Sequence, residues 1–348
     1  MKILVLGGTR FLGRHFVDAA LERGHAITVF TRGRTSVPWA SRVDSRTGDR
    51  DPFREPGLAS LESGDWDAVV DTSGYVPRVV GAGADLLRGR VGRYLFVSSL
   101  SVYAKSDRPG LDEHAEVAQL EDPATEEVLA HYGALKAACE AAVRARFGLA
   151  TTIVRPGLIV GPYDATDRFG YWVARFRHPA LLGDRGPEAI VPAPPDRPIQ
   201  IIDARDLASW MLALLEADRE GTFNACSDNG YWTMRDLVDA LRSAGSPAAP
   251  TPVWIDDDTL LGHGIAPWVG LPLWIPRNDP DSGGFLSFDC SRAAATGLVP
   301  RPLTSTIADT AAWLAARDNT DAWKNVVGAE REREIVAAWN AAGGTRRA

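Results

Sequence analysis

The first thirteen residues place an apolar run directly before a turn rich in glycine. Residues Ile3 to Leu6 are all apolar, Gly7 and Gly8 follow, and Gly13 lies in the amphipathic segment that comes next. A short apolar run predicts a strand buried on both faces, and the glycines permit a tight turn with close packing of strand, helix and ligand. Because the first N–H groups of a helix attract anions, the segment predicts a dinucleotide pyrophosphate site; an ordinary turn that uses glycine for its backbone freedom is the alternative.

Predicted strands and helices alternate through the first 155 residues. After the first strand, the predicted strands cover 26–30, 41–44, 67–71, 93–97 and 150–154. The predicted helices cover 11–23, 77–89 and a long alanine-rich segment that contains Tyr132 and Lys136. This alternation is typical of βαβ units, so we predict an α/β fold with a doubly wound, Rossmann-like parallel sheet.

The alternation loosens after residue 160, where turn-rich stretches separate four further predicted helices. These helices cover 204–216, 233–243, 303–316 and 328–341. We expect residues 1–160 to form a dinucleotide-binding domain that holds the catalytic residues, with its sheet completed by parts of 198–230. Residues 161–348 are expected to form mainly a smaller substrate lobe and the C-terminal helices.

Eight of the eleven tryptophans lie beyond residue 200, and we expect most of them to pack the second lobe. Five aromatic residues beyond residue 160 nevertheless favour an apolar or aromatic substrate: Phe169, Trp172, Trp254, Trp268 and Trp274. Arg168, Arg205 and Arg292 are candidates for binding a nucleotide-sugar diphosphate, although each is expected to be a surface or structural arginine.

The composition disfavours several classes of protein. The net charge of −7 disfavours a nucleic-acid binder, because such proteins present a concentrated positive face. Three cysteines without C-x-x-C spacing predict reduced, buried thiols, and six histidines without ligand spacing predict that no metal is bound. The N-terminus lacks the pattern of a signal peptide and no apolar run approaches about 18 residues, so we expect a cytoplasmic protein with no membrane partner.

The end of the second predicted strand reads Thr31-Arg32-Gly33-Arg34 and has no acidic residue. At this place an acidic side chain would accept a hydrogen bond from the 2′-hydroxyl of NAD, whereas arginine would pair with the 2′-phosphate of NADP. Arg10, inside the glycine turn, adds a third guanidinium, whose fork of N–H donors suits a phosphate dianion. The sequence therefore favours NADP(H) over NAD(H); in the alternative, one or two of these arginines only face solvent.

Tyr132 and Lys136 lie four residues apart on the predicted long helix, so their side chains share one face. Ser99 follows the strand at 93–97, at the edge where open α/β sheets bind ligands. A free phenol, with a pKa of about 10, is a poor acid–base catalyst at neutral pH, and a neighbouring cation lowers that pKa. We predict Tyr132 as the general acid/base, Lys136 as the cation that also holds a ribose hydroxyl, and Ser99 as a donor to the substrate oxygen.

The chain resembles the extended branch of the short-chain dehydrogenase/reductase superfamily, the group of NAD-dependent epimerases and dehydratases. The resemblance rests on Asp49, Ser99 and five short motifs: Gly7-Gly8-Thr9-Arg10-Phe11-Leu12-Gly13, Val102-Tyr103, Tyr132-Gly133-Ala134-Leu135-Lys136, Arg155-Pro156-Gly157 and Gly161-Pro162. It implies that Tyr132 is the general acid/base, that Lys136 orients the nicotinamide ribose and lowers the pKa of Tyr132, and that Ser99 polarises the reacting carbonyl.

The resemblance also implies which residues bind the cofactor. Besides the glycine turn, the implied contacts are Asp49 with the adenine, Thr72, Ser73 and Gly74 along the cofactor, and Pro156 and Gly157 beside the nicotinamide. The helices at 77–89 and 131–147 often form a homodimer in this superfamily. Two departures narrow the function: Arg10 replaces the middle glycine of the usual G-x-x-G-x-x-G, which favours NADP, and Leu100-Ser101 replaces the Asp-Glu pair of sugar-nucleotide dehydratases.

Three hypotheses follow from these features. The first is an NADP(H)-dependent oxidoreductase that reduces a carbonyl or oxidises an alcohol of a small molecule by hydride transfer. The second is an epimerase that oxidises and re-reduces its own substrate with a retained NAD(P). The third is a binding protein with a vestigial pocket, because the opening motif also resembles chloroplast stem-loop RNA-binding relatives on this fold; the intact set of Ser99, Tyr132 and Lys136 and the net charge of −7 disfavour it.

Overall fold

A seven-stranded parallel sheet organises the N-terminal half of the chain. A computed structural model describes residues 1–243, 248–318, 323 and 326–344. The strands in the described residues are β1 (Lys2–Leu6), β2 (Ala26–Thr31), β3 (Asp44–Thr47), β4 (Trp66–Asp71), β5 (Val91–Val97), β6 (Thr151–Pro156), β7 (Leu158–Val160), β8 (Glu188–Pro192), β9 (Pro198–Ile199), β10 (Ile201–Asp203), β11 (Gly221–Ala225), β12 (Trp232–Thr233) and β13 (Thr251–Ile255). The large sheet has the order β11-β6-β5-β4-β1-β2-β3, with parallel pairing throughout.

Helices cover both faces of this sheet and build most of the second lobe. The helices in the described residues are α1 (Phe11–Glu22), α2 (Pro77–Leu87), α3 (Val128–Phe147), α4 (Arg168–Arg177), α5 (Ala204–Glu216), α6 (Met234–Ser243), α7 (Asp257–Gly262), α8 (Ser291–Ala295), α9 (Leu303–Ala316) and α10 (Ala329–Ala341). On the sheet, α1 packs beside α5 and α2 packs beside α3.

The first strand is buried from both sides because its side chains alternate between two cores. Ile3 and Val5 share one core with Phe16 and the apolar residues of α5. Leu4 and Leu6 share the other core with apolar residues of α2 and α3. Successive side chains of a strand point to opposite faces, so an apolar run without polar alternation requires cover on both sides. The predicted α/β fold with a doubly wound parallel sheet is confirmed.

The strand ends at the centre of the sheet lie level with one another. Leu6 of β1 pairs with Phe30 of β2 and also with Asp71 of β4. The chain then leaves β1 toward the face that carries α1 and leaves β4 toward the opposite face, which carries α2. Divergence of neighbouring connections at the carboxyl ends of parallel strands opens a crevice between them. The crevice is therefore a consequence of the strand order.

A third core, separate from the two cores of the sheet, holds the C-terminal lobe together. It includes Trp172, Trp254 and Trp274, packed among the apolar side chains of α4, α6, α9 and α10 and of the parallel pair β8 and β13. The carboxylate of Glu332, fully buried, pairs with Arg175 and Arg185 at 3.3 and 2.9 Å. The expectation that most tryptophans pack this lobe agrees with these positions.

The predicted element boundaries hold in most places and fail at one edge strand. The helices predicted at 204–216, 233–243, 303–316 and 328–341 correspond to α5, α6, α9 and α10 within one residue at each end. The strand predicted at 41–44 is wrong, because residues 40–42 form a short 3₁₀ helix and the strand is Asp44–Thr47. Since β3 is the last strand of the sheet and none of its side chains is buried, it lacks the apolar pattern that marks the inner strands.

All three cysteines, Cys139, Cys226 and Cys290, are free and buried, as predicted from their spacing. Among the described residues, no helix is both long and apolar enough to cross a membrane. The same residues contain no cluster of three or more histidine, cysteine, aspartate or glutamate side chains that could hold a metal ion.

Replacing Gly133 with alanine should destabilise the protein. The added Cβ would collide with the backbone carbonyl of Ser101, in the short helix Leu100–Val102 that follows Ser99. We expect a loss of about 2 kcal/mol in the free energy of unfolding, measured by urea titration. The control is Gly83→Ala in α2, where the Cβ meets no atom within 4 Å, and it should stabilise by about 0.5 to 1 kcal/mol. Equal effects of both variants would contradict the packing of α3 described above.

Candidate active site

One cavity of about 910 Å³ follows the crevice at the carboxyl ends of the strands. The turn after β1, the ends of β2 and β4, and the segments that follow β5 and β6 form its floor and one end. Side chains from α3 form a further part of the wall. The second lobe contributes Thr166, Arg168, Trp268 and Phe285. Residues from both halves of the chain therefore face one shared space.

Almost every residue proposed from the sequence lies around this cavity. The lining contains Gly7, Thr9, Arg10, Phe11, Leu12, Gly13, Arg32, Arg34, Asp49, Thr72, Ser73, Ser99, Tyr132, Lys136, Pro156 and Gly157. The exception is Gly74, which lies behind the lining and whose carbonyl accepts a hydrogen bond from Lys136. Residues up to 150 positions apart in sequence thus converge because parallel strands end at the same edge.

The glycine turn leaves room for a ligand and presents unpaired N–H groups to it. Gly7 and Gly8 have φ values of +111° and +91°, in the region that favours glycine. A Cβ at Gly7 would collide with Thr72, and a Cβ at Gly13 would lie 2.6 Å from the Gly8 nitrogen. No side chain caps the start of α1 at Arg10. This combination of bare backbone and uncapped helix fits a dinucleotide pyrophosphate.

Four arginines near the ends of β1, β2 and β3 differ in their partners. Arg10, Arg32 and Arg34 are exposed at the cavity and form no ion pair with any described residue. Arg50, in contrast, makes a bidentate ion pair with the buried carboxylate of Asp71, with both N–O distances at 2.5 Å. An anion in the cavity therefore meets three guanidiniums whose charge is not already neutralised by a carboxylate.

The three residues proposed for catalysis come from two adjacent segments. Ser99 follows β5, and its hydroxyl accepts a hydrogen bond from the N–H of Ser101 at 3.1 Å. Tyr132 begins the regular part of α3, directly after a kink at His131 with φ −125° and ψ 29°. Lys136 lies one helical turn further, on the same face. The kink and the turn after β5 bring the hydroxyl, the phenol and the ammonium to one part of the cavity.

Lys136 is a buried ammonium held by two backbone carbonyls. Its Nζ donates to Gly74 at 2.8 Å and to Val97 at 2.6 Å, which leaves one of its three N–H donors for a ligand. The same nitrogen lies 4.4 Å from the centre of the Phe96 ring. Burial lowers the pKa of Lys136 to about 8, because the charged form loses its hydration.

The phenol of Tyr132 is surrounded by groups that act on it in opposite directions. Burial raises its pKa, whereas a hydrogen bond with Ser99 and the positive charge of Arg168 lower it. The ring of Tyr75 lies 6.5 Å away, centre to centre, on the cavity wall. The sequence interpretation gave Lys136 the part of the lowering cation; in the structure the cation that acts on this phenol is Arg168, since Lys136 is turned toward the carbonyls of Gly74 and Val97.

A buried polar network fixes the backbone behind these residues. Glu140 accepts hydrogen bonds from Ser98 at 2.6 Å and from both sides of the Arg155 guanidinium at 2.9 and 2.8 Å. Arg155 also donates to the Tyr103 hydroxyl at 3.0 Å, which in turn donates to Asn224 at 2.5 Å. The network joins α3, through Glu140, to β6, β11 and the segment after β5. It therefore holds Ser99 and Lys136 in fixed relative positions.

Two further residues of the cavity wall, Tyr75 and Phe285, were not among the site residues predicted from the sequence. Tyr75 directly follows the predicted cofactor-binding stretch Thr72-Ser73-Gly74, so its position after β4 could have identified it. Phe285 lies in an irregular segment and had no local signal. Of the five aromatic residues proposed to surround the substrate, only Trp268 lines the cavity, because the others belong to the core of the second lobe: Phe169, Trp172, Trp254 and Trp274.

Comparison with known proteins agrees with this arrangement. The model of the NAD dependent epimerase/dehydratase family matches residues 3–226, which is more than half of the chain. The chain belongs to this family. Its members are NAD(P)-dependent enzymes of the short-chain dehydrogenase/reductase type, as the resemblance of the motifs implied.

Two relatives and one solved structure are similar to this chain. The chain is 28% identical over 268 residues to "Chloroplast stem-loop binding protein of 41 kDa b" of Arabidopsis thaliana, covering 72% of this chain and 64% of the relative. It is 31% identical over 183 residues to "2-alkyl-3-oxoalkanoate reductase" of Stenotrophomonas maltophilia, covering 47% and 52%. The chain thus spans less than two thirds of each relative. UDP-glucuronic acid 4-epimerase from Bacillus cereus, solved with NAD, shares the fold at a TM-score of 0.62, with 16% identity and coverage of 90% and 99%.

Substitution of Lys136 with methionine should change how stability depends on alkaline pH. Lys136 has a pKa of about 8 in the folded chain, against an ordinary value of 10.5. Within this window the unfolded chain binds more protons, so the free energy of unfolding of the wild type should rise with pH relative to Lys136→Met, by up to about 3 kcal/mol.

Urea titrations of both proteins across this pH window measure the difference directly. Lys2→Met, at an exposed lysine, is the control and should follow the wild type at every pH. Parallel curves for wild type and Lys136→Met would show that the ammonium is not buried as described.

Proposed function

We propose that the protein is an NADP(H)-dependent oxidoreductase that reduces a carbonyl, or oxidises an alcohol, of a small molecule. The observation that carries the proposal is that Ser99, Tyr132 and Lys136 line the same cavity as the uncapped helix and the glycine turn after β1. Membership of the NAD dependent epimerase/dehydratase family supports it. The similarity to the 2-alkyl-3-oxoalkanoate reductase of Stenotrophomonas maltophilia favours reduction of a carbonyl.

Different residues of the cavity wall would bind different parts of the cofactor. The glycine turn and the first turn of α1 would hold the pyrophosphate, and Asp49 would contact the adenine. Pro156 and Gly157 would pack beside the nicotinamide, and the remaining N–H of Lys136 would donate to a ribose hydroxyl. When bound, NADP(H) supplies or accepts a hydride at the nicotinamide ring. The residues of this chain provide binding, orientation and the proton.

The proton moves at the Tyr132 hydroxyl. In the direction of reduction, Tyr132 donates its proton to the substrate oxygen, and Ser99 donates a hydrogen bond that stabilises the developing negative charge. Because burial raises the pKa of Tyr132, the phenol keeps its proton at neutral pH. In the direction of oxidation the same oxygen would accept the proton, which needs the phenolate.

Tyr132→Phe should abolish most turnover without weakening cofactor binding. Loss of the proton donor is expected to lower kcat about 100-fold or more for a carbonyl that the wild type reduces, as found for general acids. Tyr75→Phe is the matched control, since that ring lines the same cavity 6.5 Å away, and it should change kcat by less than about threefold. NADPH oxidation followed at its absorbance band gives kcat, and fluorescence titration gives the affinity for NADPH. Nearly full activity of Tyr132→Phe would exclude Tyr132 as the donor.

The preference for NADP(H) rests on the three arginines without carboxylate partners. Arg32 and Arg34 follow β2, and Arg10 lies in the glycine turn, so all three face the end of the cavity expected to hold the adenosine ribose. A 2′-phosphate there would receive charge-assisted hydrogen bonds, whereas a 2′-hydroxyl would leave the guanidiniums without an anion. NADP(H) therefore suits this chain better than NAD(H).

The double variant Arg32→Ala/Arg34→Ala should lose its preference for NADPH. We expect the affinity for NADPH to fall about 10- to 100-fold, as expected for loss of charged hydrogen bonds, while the affinity for NADH changes little. Fluorescence titration with both cofactors measures the ratio. Arg42→Ala, at an exposed arginine just before β3 that lies outside the cavity wall, is the control and should keep the ratio. A wild type that binds NADH more tightly would overturn the preference.

Two other activities remain as measurable outcomes. An epimerase would use the same Ser99, Tyr132 and Lys136 but consume no net NADPH during turnover. Against a nucleotide-sugar epimerase, two of the three arginines considered for a diphosphate, Arg205 and Arg292, lie outside the cavity. The similarity to the chloroplast stem-loop binding protein of Arabidopsis thaliana suggests an RNA-binding role. Such a role would appear as strong, salt-sensitive affinity for RNA.

We also propose a cytoplasmic homodimer. Three free, buried thiols suit a reducing compartment. The pairing would use the outer faces of α2 and α3, the two helices that pack together on one side of the sheet and that often form the dimer in this superfamily.

A further inference from the structure

Arg168 places a positive charge beside the catalytic phenol from the side of the second lobe. It is the first residue of α4, it lines the same cavity as Tyr132, and its charge acts on that phenol. Its guanidinium lies 5.3 Å from the centre of the Trp268 ring, and its Nε donates to Thr166 at 3.2 Å. The remaining N–H groups have no hydrogen-bond acceptor among the described residues.

Several other buried or half-buried arginines in the second half of the chain have carboxylate partners, and Arg168 has none in the part of the chain that the structure describes. Arg205 pairs with Asp203 and Asp309, and Arg175 and Arg185 pair with a buried glutamate. For Arg168, no carboxylate of a described residue lies within 4.0 Å. Burying a charge without a partner is costly, and the cost is recovered when an anion binds. Half-buried and unpaired, Arg168 is therefore ready to receive one.

The neighbouring carboxylate does not remove this requirement. Asp164 is almost fully buried, and one of its oxygens accepts from the Thr166 N–H at 2.9 Å. Its other oxygen has no hydrogen-bond partner among the described residues. The charge of Asp164 acts on Arg168, but no oxygen of Asp164 lies within 4.0 Å of the guanidinium. If Arg168 served only to neutralise Asp164, an added anion would not bind to it. Binding of an anion distinguishes the two roles.

The aromatic residues beside Arg168 define the rest of the ligand. The rings of Trp268 and Phe285 pack edge to face, 5.2 Å apart, and both line the cavity. Trp268 has φ +65°, a conformation that a bulky residue rarely adopts and that is concentrated at functional sites. The lobe thus offers one guanidinium next to two aromatic rings, within reach of the reacting oxygen.

We propose that the substrate is a small oxo or hydroxy acid whose carboxylate binds Arg168 and whose apolar part packs on Trp268 and Phe285. This inference rests on the proposed oxidoreductase function and names its substrate class. The fork of one guanidinium can bind either a carboxylate or a phosphate. The single positive charge of Arg168 balances the one negative charge of a carboxylate, whereas a phosphate dianion would keep one charge uncompensated. Within the described residues, Arg168 is the only cation that the second lobe contributes to the cavity wall.

The test compares two probes of nearly the same shape, phenylacetate and phenylacetamide, on the NADP⁺-saturated protein. Quenching of tryptophan fluorescence or calorimetry gives the Kd of each. We expect the wild type to bind phenylacetate at least about tenfold more tightly, the ratio expected for one charge-assisted contact. Arg168→Gln should reduce the ratio to about one. Arg292→Gln, at an exposed arginine of the same lobe outside the cavity wall, should keep it.

Each result decides between the alternatives. Equal binding of the two probes by the wild type, no binding of either, or an unchanged ratio in Arg168→Gln would overturn the carboxylate site. Arg168→Lys keeps the charge without the fork and should give an intermediate ratio, so a poorly folded Arg168→Gln does not leave the question open. The binding assay needs no turnover. If the protein binds phenylacetate tightly but oxidises no NADPH with small oxo acids, the reductase is refuted and the anion site is retained.

Discussion

The structure depends on the burial of β1 at the centre of the sheet. Its apolar side chains need cover on both faces, so helices lie on both sides of the sheet. The chain leaves the neighbouring strands β1 and β4 toward opposite faces. The crevice at the carboxyl ends follows from that arrangement. The glycine turn is then the only kind of sequence that fits there, because a Cβ at Gly7 or Gly13 would collide with the neighbouring backbone or with Thr72.

The buried ammonium of Lys136 connects this crevice to the chemistry. Its hydrogen bonds to Gly74 and Val97 join α3 to the ends of β4 and β5, so the helix that carries Tyr132 is fixed relative to the strand that precedes Ser99. Burial makes the charged form unfavourable, as the lowered pKa shows. The fold keeps a costly group at this place beside the cavity, with one N–H donor not used by Gly74 or Val97. This donor is what the proposed cofactor site requires.

Local patterns in the sequence predicted the elements that are determined by local physics. The apolar run of β1 and the four-residue spacing of Tyr132 and Lys136 gave the sheet, the long helix and the shared face. The pattern failed where burial is unusual. The edge strand β3 buries no side chain, and α4 buries eight of its ten residues, so neither shows the alternation expected of an ordinary strand or an amphipathic helix. Trp268 and Trp274 lie in the same irregular segment, and no local pattern distinguishes them. Tertiary packing places Trp268 at the cavity and Trp274 in the core.

The role of each arginine in the cavity wall is set by its counter-ion, which no local pattern reveals. Arg50 is paired with Asp71 and serves the structure, since its charge is already neutralised. Arg32 and Arg34 line the cavity and form no ion pair with a carboxylate of the described residues. The same is true of Arg168, which lies near Tyr132. Unpaired positive charge at two places in one cavity indicates two anionic groups. Tyr132 and Ser99, the residues proposed for proton transfer, line the same cavity as the second of these places. An anionic substrate held by Arg168 would therefore carry its charge on the side of the cavity where the proposed proton donor lies.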